Sequence, residues 1–130
     1  MKRDLDLIRE ILLNIEAYND NKPLTDLKIK EYPKEEIAYN VYLLENAGLI
    51  EGKIYFGLGT VLPEGYAIFR MTWAGHDFLE ACRDESRWIQ AKEIIKKLGE
   101  GVTFDVVKQI LVHLLMDAVS TYLKGGGIGA

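Results

Sequence analysis

The amino-acid sequence predicts a mainly helical α+β protein, with a three-stranded antiparallel sheet near the middle and helices alone at the C-terminal end. Three observations lead there. Apolar residues recur at steps of three and four over most of the chain. Two-residue alternation is confined to a short run at 27–30 and to two runs flanking a loop at 57–65. Beyond Asp84 no strand pattern occurs. The 130 residues suit one domain, or a small domain with a helical extension. The division expected is 1–84 for the α+β region, 85–124 for helices packed on it, and 125–130 for a flexible glycine-rich tail.

The elements follow in order. Leu5, Ile8, Ile11, Leu12 and Ile15 form one helical face, Asp4 is the candidate N-cap, and Asn19 to Pro23 ends the helix. In 24–32, Leu27 and Ile29 oppose Lys28 and Lys30, which predicts an exposed first strand. A helix over 34–47 follows Pro33, carries Ile37, Val41 and Leu44, and stops at Gly48, a residue suited to a left-handed C-cap. Residues 49–56 and 66–71 then predict a hairpin with a long tip. Thr72 is the candidate cap of a helix over 73–84 whose inner face is expected to hold Trp73, Phe78, Leu79 and Cys82. Gly75 in its first turn permits a close backbone approach. Trp88, Ile89, Ile94, Ile95 and Leu98 mark the next helix, which Gly99 and Gly101 end. Thr103 is the candidate cap of a final helix running to about Lys124.

Composition narrows the function classes. At 48% apolar and 28% charged residues the chain is neither a disordered tail nor a fibre. Sixteen Lys and Arg against 20 Asp and Glu give a net charge of −4, so polyanion binding would need a local basic patch. A single cysteine, Cys82, excludes an internal disulfide and a thiolate zinc cluster. The start has no signal-peptide pattern, and no run of 18 uncharged apolar residues occurs, so a cytoplasmic protein that does not span a membrane is expected. His76 and His113 stand apart from other metal-ligating residues, the carboxylate pairs lack helical spacing, and the glycines at 57, 59 and 65 lack a phosphate loop's lysine. The expectation is therefore no enzyme, no metal and no cofactor.

The stretch Leu44-Glu45-Asn46-Ala47-Gly48-Leu49-Ile50 resembles the end of the recognition helix in bacterial winged helix-turn-helix repressors, where it leads directly into the wing hairpin. Met71-Thr72-Trp73-Ala74-Gly75-His76 resembles the step from wing to following helix in the same superfamily. This likeness covers about residues 4–82 and implies a winged-helix-like region. More narrowly, Met1 to Arg9, Glu36 to Tyr39, Ala47 to Ile50 and Met71 to Leu79 resemble a small phage-associated family of unknown function. That resemblance implies a phage or prophage origin. Two departures are plain. Only Leu24–Pro33 stands where a positioning helix usually precedes the reader, and the outward positions of the reader are Glu35, Glu36, Ala38, Tyr39 and Tyr42 rather than cations. The loop 57–65 also lacks the Lys or Arg that a wing usually brings to a minor groove.

Lys28, Lys30 and Lys34, with Lys2, Arg3 and Arg9, form either a solvated face or a phosphate-contacting one. Tyr39 and Tyr42 share a helix face and either cover the hairpin or are exposed for a partner, as contacts to nucleic-acid bases or to a protein. Two functions stay open: a phage accessory regulator that binds double-stranded DNA, and a protein-interaction module, without DNA binding, that contacts a phage or host protein. The final helix has only a narrow polar stripe, so a homodimer is expected with Leu111, Leu115 and Val119 as candidate contacts.

Overall fold

The computed structural model describes residues 1–125. Beyond Gly125, the tail expected at 125–130 lies outside the described residues. Seven elements follow in order: α1 (Leu5–Ala17), α2 (Lys34–Asn46), β1 (Ile50–Phe56), β2 (Pro63–Met71), α3 (Trp73–Arg83), α4 (Glu85–Leu98) and α5 (Phe104–Lys124). The described chain is thus mainly helical α+β, with one antiparallel pair of strands. It divides into two compact units, Met1–Leu79 and one that starts at Glu80.

In the first unit, α1 and α2 pack on each other and on the hairpin. Leu7, Ile8, Ile11 and Leu12 of α1 meet this core, with Ile37, Val41 and Leu44 of α2 and Ile50, Tyr66 and Ile68 of the strands. The Asp4 carboxylate caps α1 by accepting from Leu7 N–H at 3.1 Å. Asn40, which is 1% exposed, ties the two helices together. Its Oδ1 accepts from Asp4 N–H at 2.9 Å and its Nδ2 donates to Glu36 C=O at 2.9 Å. Gly48 ends α2 at φ +79°, the left-handed conformation that its position implied. Thr72 Oγ1 accepts from Gly75 N–H and donates to Gly48 C=O, so one hydroxyl caps α3 and fastens it to the end of α2. A Cβ on Gly75 would lie 2.1 Å from the Leu49 carbonyl oxygen, the close approach that only glycine permits there.

Three sequence expectations are corrected here. The three-stranded sheet is a two-stranded one. Leu24 alone exchanges a pair of backbone hydrogen bonds with Ile68, both 2.9 Å, and residues 27–30 form no strand. The cause is local: Leu27 N–H is taken by the Tyr66 hydroxyl rather than by a ladder, and Glu31 sits at φ +74° in a turn that returns Tyr32 N–H to Ile29 C=O. The strict alternation expected along β2 is broken where Phe69 is inserted between the Glu51–Arg70 and Gly52–Ile68 pairs. The bulge places Phe69 and Arg70 both outside, and Arg70 pairs with Glu51. Finally, Trp73 does not face inward. The buried positions of α3 are Gly75, Phe78, Leu79, Ala81 and Cys82, a face that leaves Trp73 84% exposed.

In the second unit α5 packs along α4. Asp84 and Thr103 cap these helices by accepting from Arg87 N–H and Val106 N–H. Trp88 and Ala91 of α4 are buried, as are Val107 and Leu111 of α5. After Leu111 no residue of α5 is fully buried, although the helix continues to Lys124.

Candidate nucleic-acid interface

The segment between α1 and α2 has little regular structure, yet its path is held at several points. Leu24 bridges to Ile68, Leu27 is buried, and Leu27 N–H donates 2.7 Å to the buried Tyr66 hydroxyl. Burial pushes the Tyr66 phenol above its ordinary pKa; the hydrogen bond from Leu27 pulls it down, and the charge of Asp26 pushes it up again. With Leu27 turned inward, Lys28 and Lys30 are turned out to solvent. Pro33 then starts α2 without any side-chain cap, and Lys34 is the first helical residue. The first-turn N–H groups there have no intrahelical partner.

These anchors bring Lys28, Lys30 and Lys34 to the rim of one open depression of about 460 Å³, floored by Leu27, Ile29 and Ile37. Asp26 and Tyr32 complete the lining. Negative charge gathers beside Tyr32. Partial burial raises its pKa first, and the negative charges of Asp4, Asp6, Glu10 and Glu31 raise it further. The start of α1 therefore contributes carboxylates beside the groove. Glu35 and Glu36 in the first turn of α2 complement its dipole and set a second acidic boundary.

Tyr39 and Tyr42 are not part of this depression. Their rings lie 6.0 Å apart, and Tyr42 meets Phe56 of β1 edge-on at 6.0 Å. Both are half-buried. Tyr42 thus packs against the hairpin at Phe56, with Tyr39 beside it. The hairpin tip itself is apolar, with Leu58 and Val61 almost fully exposed. Nothing in its sequence marked the tip as a surface beyond the absence of cations.

The candidate dimer residues separate. Leu111 is fully buried within a single chain, on the same face of α5 as Val107, and so is not free to contact a second copy. Leu115 is half-buried and Val119 is 42% exposed. By length and composition alone, α5 is also long and apolar enough to cross a membrane, with 11% of that stretch buried. The exclusion drawn from uncharged runs therefore does not hold for this helix. Among the described residues, no group of three or more His, Cys, Asp or Glu side chains is placed to hold a metal ion.

A family model described as "Hypothetical protein (DUF2513)" matches residues 2–103. The chain belongs to the DUF2513 family. The match takes in the lysine groove, the hairpin, α3 and α4, and stops just before α5. An uncharacterized protein of Haemophilus influenzae strain Rd is 35% identical over 112 residues, which covers 85% of this chain and 92% of the relative. No solved structure matches the chain.

Proposed function

We propose that this DUF2513 chain is a non-enzymatic, cytoplasmic accessory protein of phage or prophage origin. Its winged-helix-like first unit contacts double-stranded DNA through Lys28, Lys30 and Lys34. The order α1, α2, hairpin, α3 supports the winged-helix reading, together with the Gly48 turn and the Thr72 cap that link α2 to the hairpin and the hairpin to α3. The observation that carries the DNA reading is the convergence of the three lysines on one open depression next to the uncapped N-terminus of α2. Phosphate oxygens suit this place because three cationic side chains and the uncapped first turn of a helix border one depression. The hairpin tip has neither, so this protein's DNA contact lies on the segment before α2 and not on the wing. Phosphate contacts position a protein on a duplex without reading bases. Nonspecific or weakly specific binding follows.

The test is fluorescence anisotropy of a labelled mixed-sequence duplex with the full chain and with the triple variant Lys28→Glu, Lys30→Glu, Lys34→Glu. Binding by the wild type that the variant abolishes, with an unchanged circular dichroism spectrum, is the expected result. Equal binding by both proteins would remove this surface from the function. A second reading rests on one observation, the exposed Leu58 and Val61 at the hairpin tip. Apolar residues so exposed suit a protein partner better than a phosphate backbone. Absence of duplex binding by the wild type would favour that reading.

A further inference from the structure

We propose that α5 pairs with the α5 of a second copy of this chain, antiparallel, along Val112, Met116, Val119 and Leu123. The proposal is independent of DNA binding.

The spacing of these four residues is four, three and four, the seam of a two-helix coiled coil. At 3.6 residues per turn they fall within about 60° of the helix surface, roughly 130° round from the buried Val107 and Leu111. α5 thus has two apolar faces. One faces inward within its own chain; the other is open, with its four side chains between 42% and 58% exposed. Soluble surface helices carry one such face, so the second calls for an occupant.

Self-complementarity identifies that occupant. When two copies run antiparallel about a two-fold axis near residues 117 and 118, Val112 faces the partner's Leu123 and Met116 faces the partner's Val119. The same register sets Leu115 against the partner's Tyr122 on one flank, and His113 against the partner's Ser120 on the other. Apolar meets apolar and polar meets polar. A parallel pair would instead set Leu115 beside Ser120. Between Lys108 and Lys124, Asp117 is the one Lys, Arg, Asp or Glu, and it lies off the seam and its flanks. Depletion of charge at the centre is the compositional mark of a protein interface. Antiparallel helices also oppose their dipoles favourably.

A bilayer is the weaker occupant. A spanning α5 would carry Gln109, His113 and Asp117 into hydrocarbon. A helix lying on an anionic surface needs a cationic polar face, whereas in α5 Lys108 and Lys124 are balanced by Asp105 and Asp117. The size of the seam sets the strength of pairing. Residues 112–123 span about 18 Å of helix. A contact strip of that length buries less than the roughly 1,200 Å² of a standard stable interface. The dimer is therefore reversible and concentration-dependent.

Sedimentation equilibrium of the full chain from about 1 to about 100 µM tests this. The expected mass rises from 14.8 kDa towards twice that value. Met116→Glu raises the dimer dissociation constant at least thirtyfold, about the effect of losing a hot-spot residue, and leaves the helical circular dichroism intact. Should Met116→Glu unfold, the double variant Met116→Cys, Val119→Cys decides: mild oxidation crosslinks it into a dimer, whereas Met116→Cys alone stays uncrosslinked. A wild type that is monomeric throughout overturns the proposal. So does a folded Met116→Glu that still dimerises, or failure of the double variant to crosslink. A monomer that co-sediments with vesicles of phosphatidylcholine and phosphatidylglycerol overturns it in favour of the membrane.

Discussion

Tyr66→Phe removes one oxygen from the chain and isolates the contact that holds the lysine segment in place. In the wild type the Tyr66 hydroxyl accepts from Leu27 N–H at 2.7 Å, and both residues are buried. The variant keeps the ring and its packing but leaves that N–H without an acceptor. An unsatisfied buried donor costs about 1–3 kcal/mol, so the expected loss is about 2 kcal/mol. For a chain of this size that lowers the melting midpoint by roughly 8 °C. A pH series adds an independent check. Burial holds the Tyr66 phenol above its ordinary pKa, which is about 10. Because the folded chain binds this proton more tightly than the unfolded chain, the associated stability is complete below about pH 10 and is lost as pH rises through the folded value. The variant lacks that loss, so the gap between wild type and variant narrows above pH 10. Thermal and urea unfolding followed by circular dichroism measure both effects, and amide exchange of Leu27 reports the bond directly. A variant within 0.5 kcal/mol of wild type (about the noise of surface substitutions), with Leu27 N–H still protected, would refute the reasoning.

Two further outcomes are expected of the first unit. Gly75→Ala places a Cβ 2.1 Å from the Leu49 carbonyl oxygen and 2.6 Å from Met71 Cγ; it should destabilise by at least about 2 kcal/mol in urea unfolding despite alanine's better helix propensity, and a neutral result would show that the approach relaxes freely. Asn40→Ala strips the acceptor from Asp4 N–H and the donor from Glu36 C=O; a loss of about 2–3 kcal/mol is expected, and an unchanged urea midpoint would mean that the link between α1 and α2 carries no stability.

The helices and their caps were legible because their signals are local. Asp4, Thr72 and Thr103 each accept from the N–H three residues on, as expected of caps, and Gly48 takes the positive φ that its place after α2 implied. The lysine segment looks like a strand in sequence because Leu27 and Ile29 satisfy strand periodicity whether or not a neighbouring strand accepts their hydrogen bonds. Here the acceptor for Leu27 is a side chain 39 residues away. Glu31 adopts a left-handed conformation that its residue type does not advertise. The bulge at Phe69 likewise leaves no mark in composition. In α5 the open face was implied by the narrow polar stripe. Which apolar residues lie on it depended on where α4 packs: Leu111 went inside, whereas Val119 stayed out. The grouping of Lys28, Lys30 and Lys34 was a sequence expectation about charge, and the fold brings them round one depression.

The measurement that bears most directly on the proposed function is the salt dependence of duplex binding. Log affinity is read against log salt for the wild type and for the charge-neutral variant Lys28→Gln, Lys30→Gln, Lys34→Gln. Each lysine that neutralises a phosphate contributes a slope of about −0.9 through counterion release. If all three lysines contact phosphates, the wild-type slope is steeper than the variant's by about 2.7. Two parallel lines, or a wild-type affinity that does not change with salt, would contradict the account.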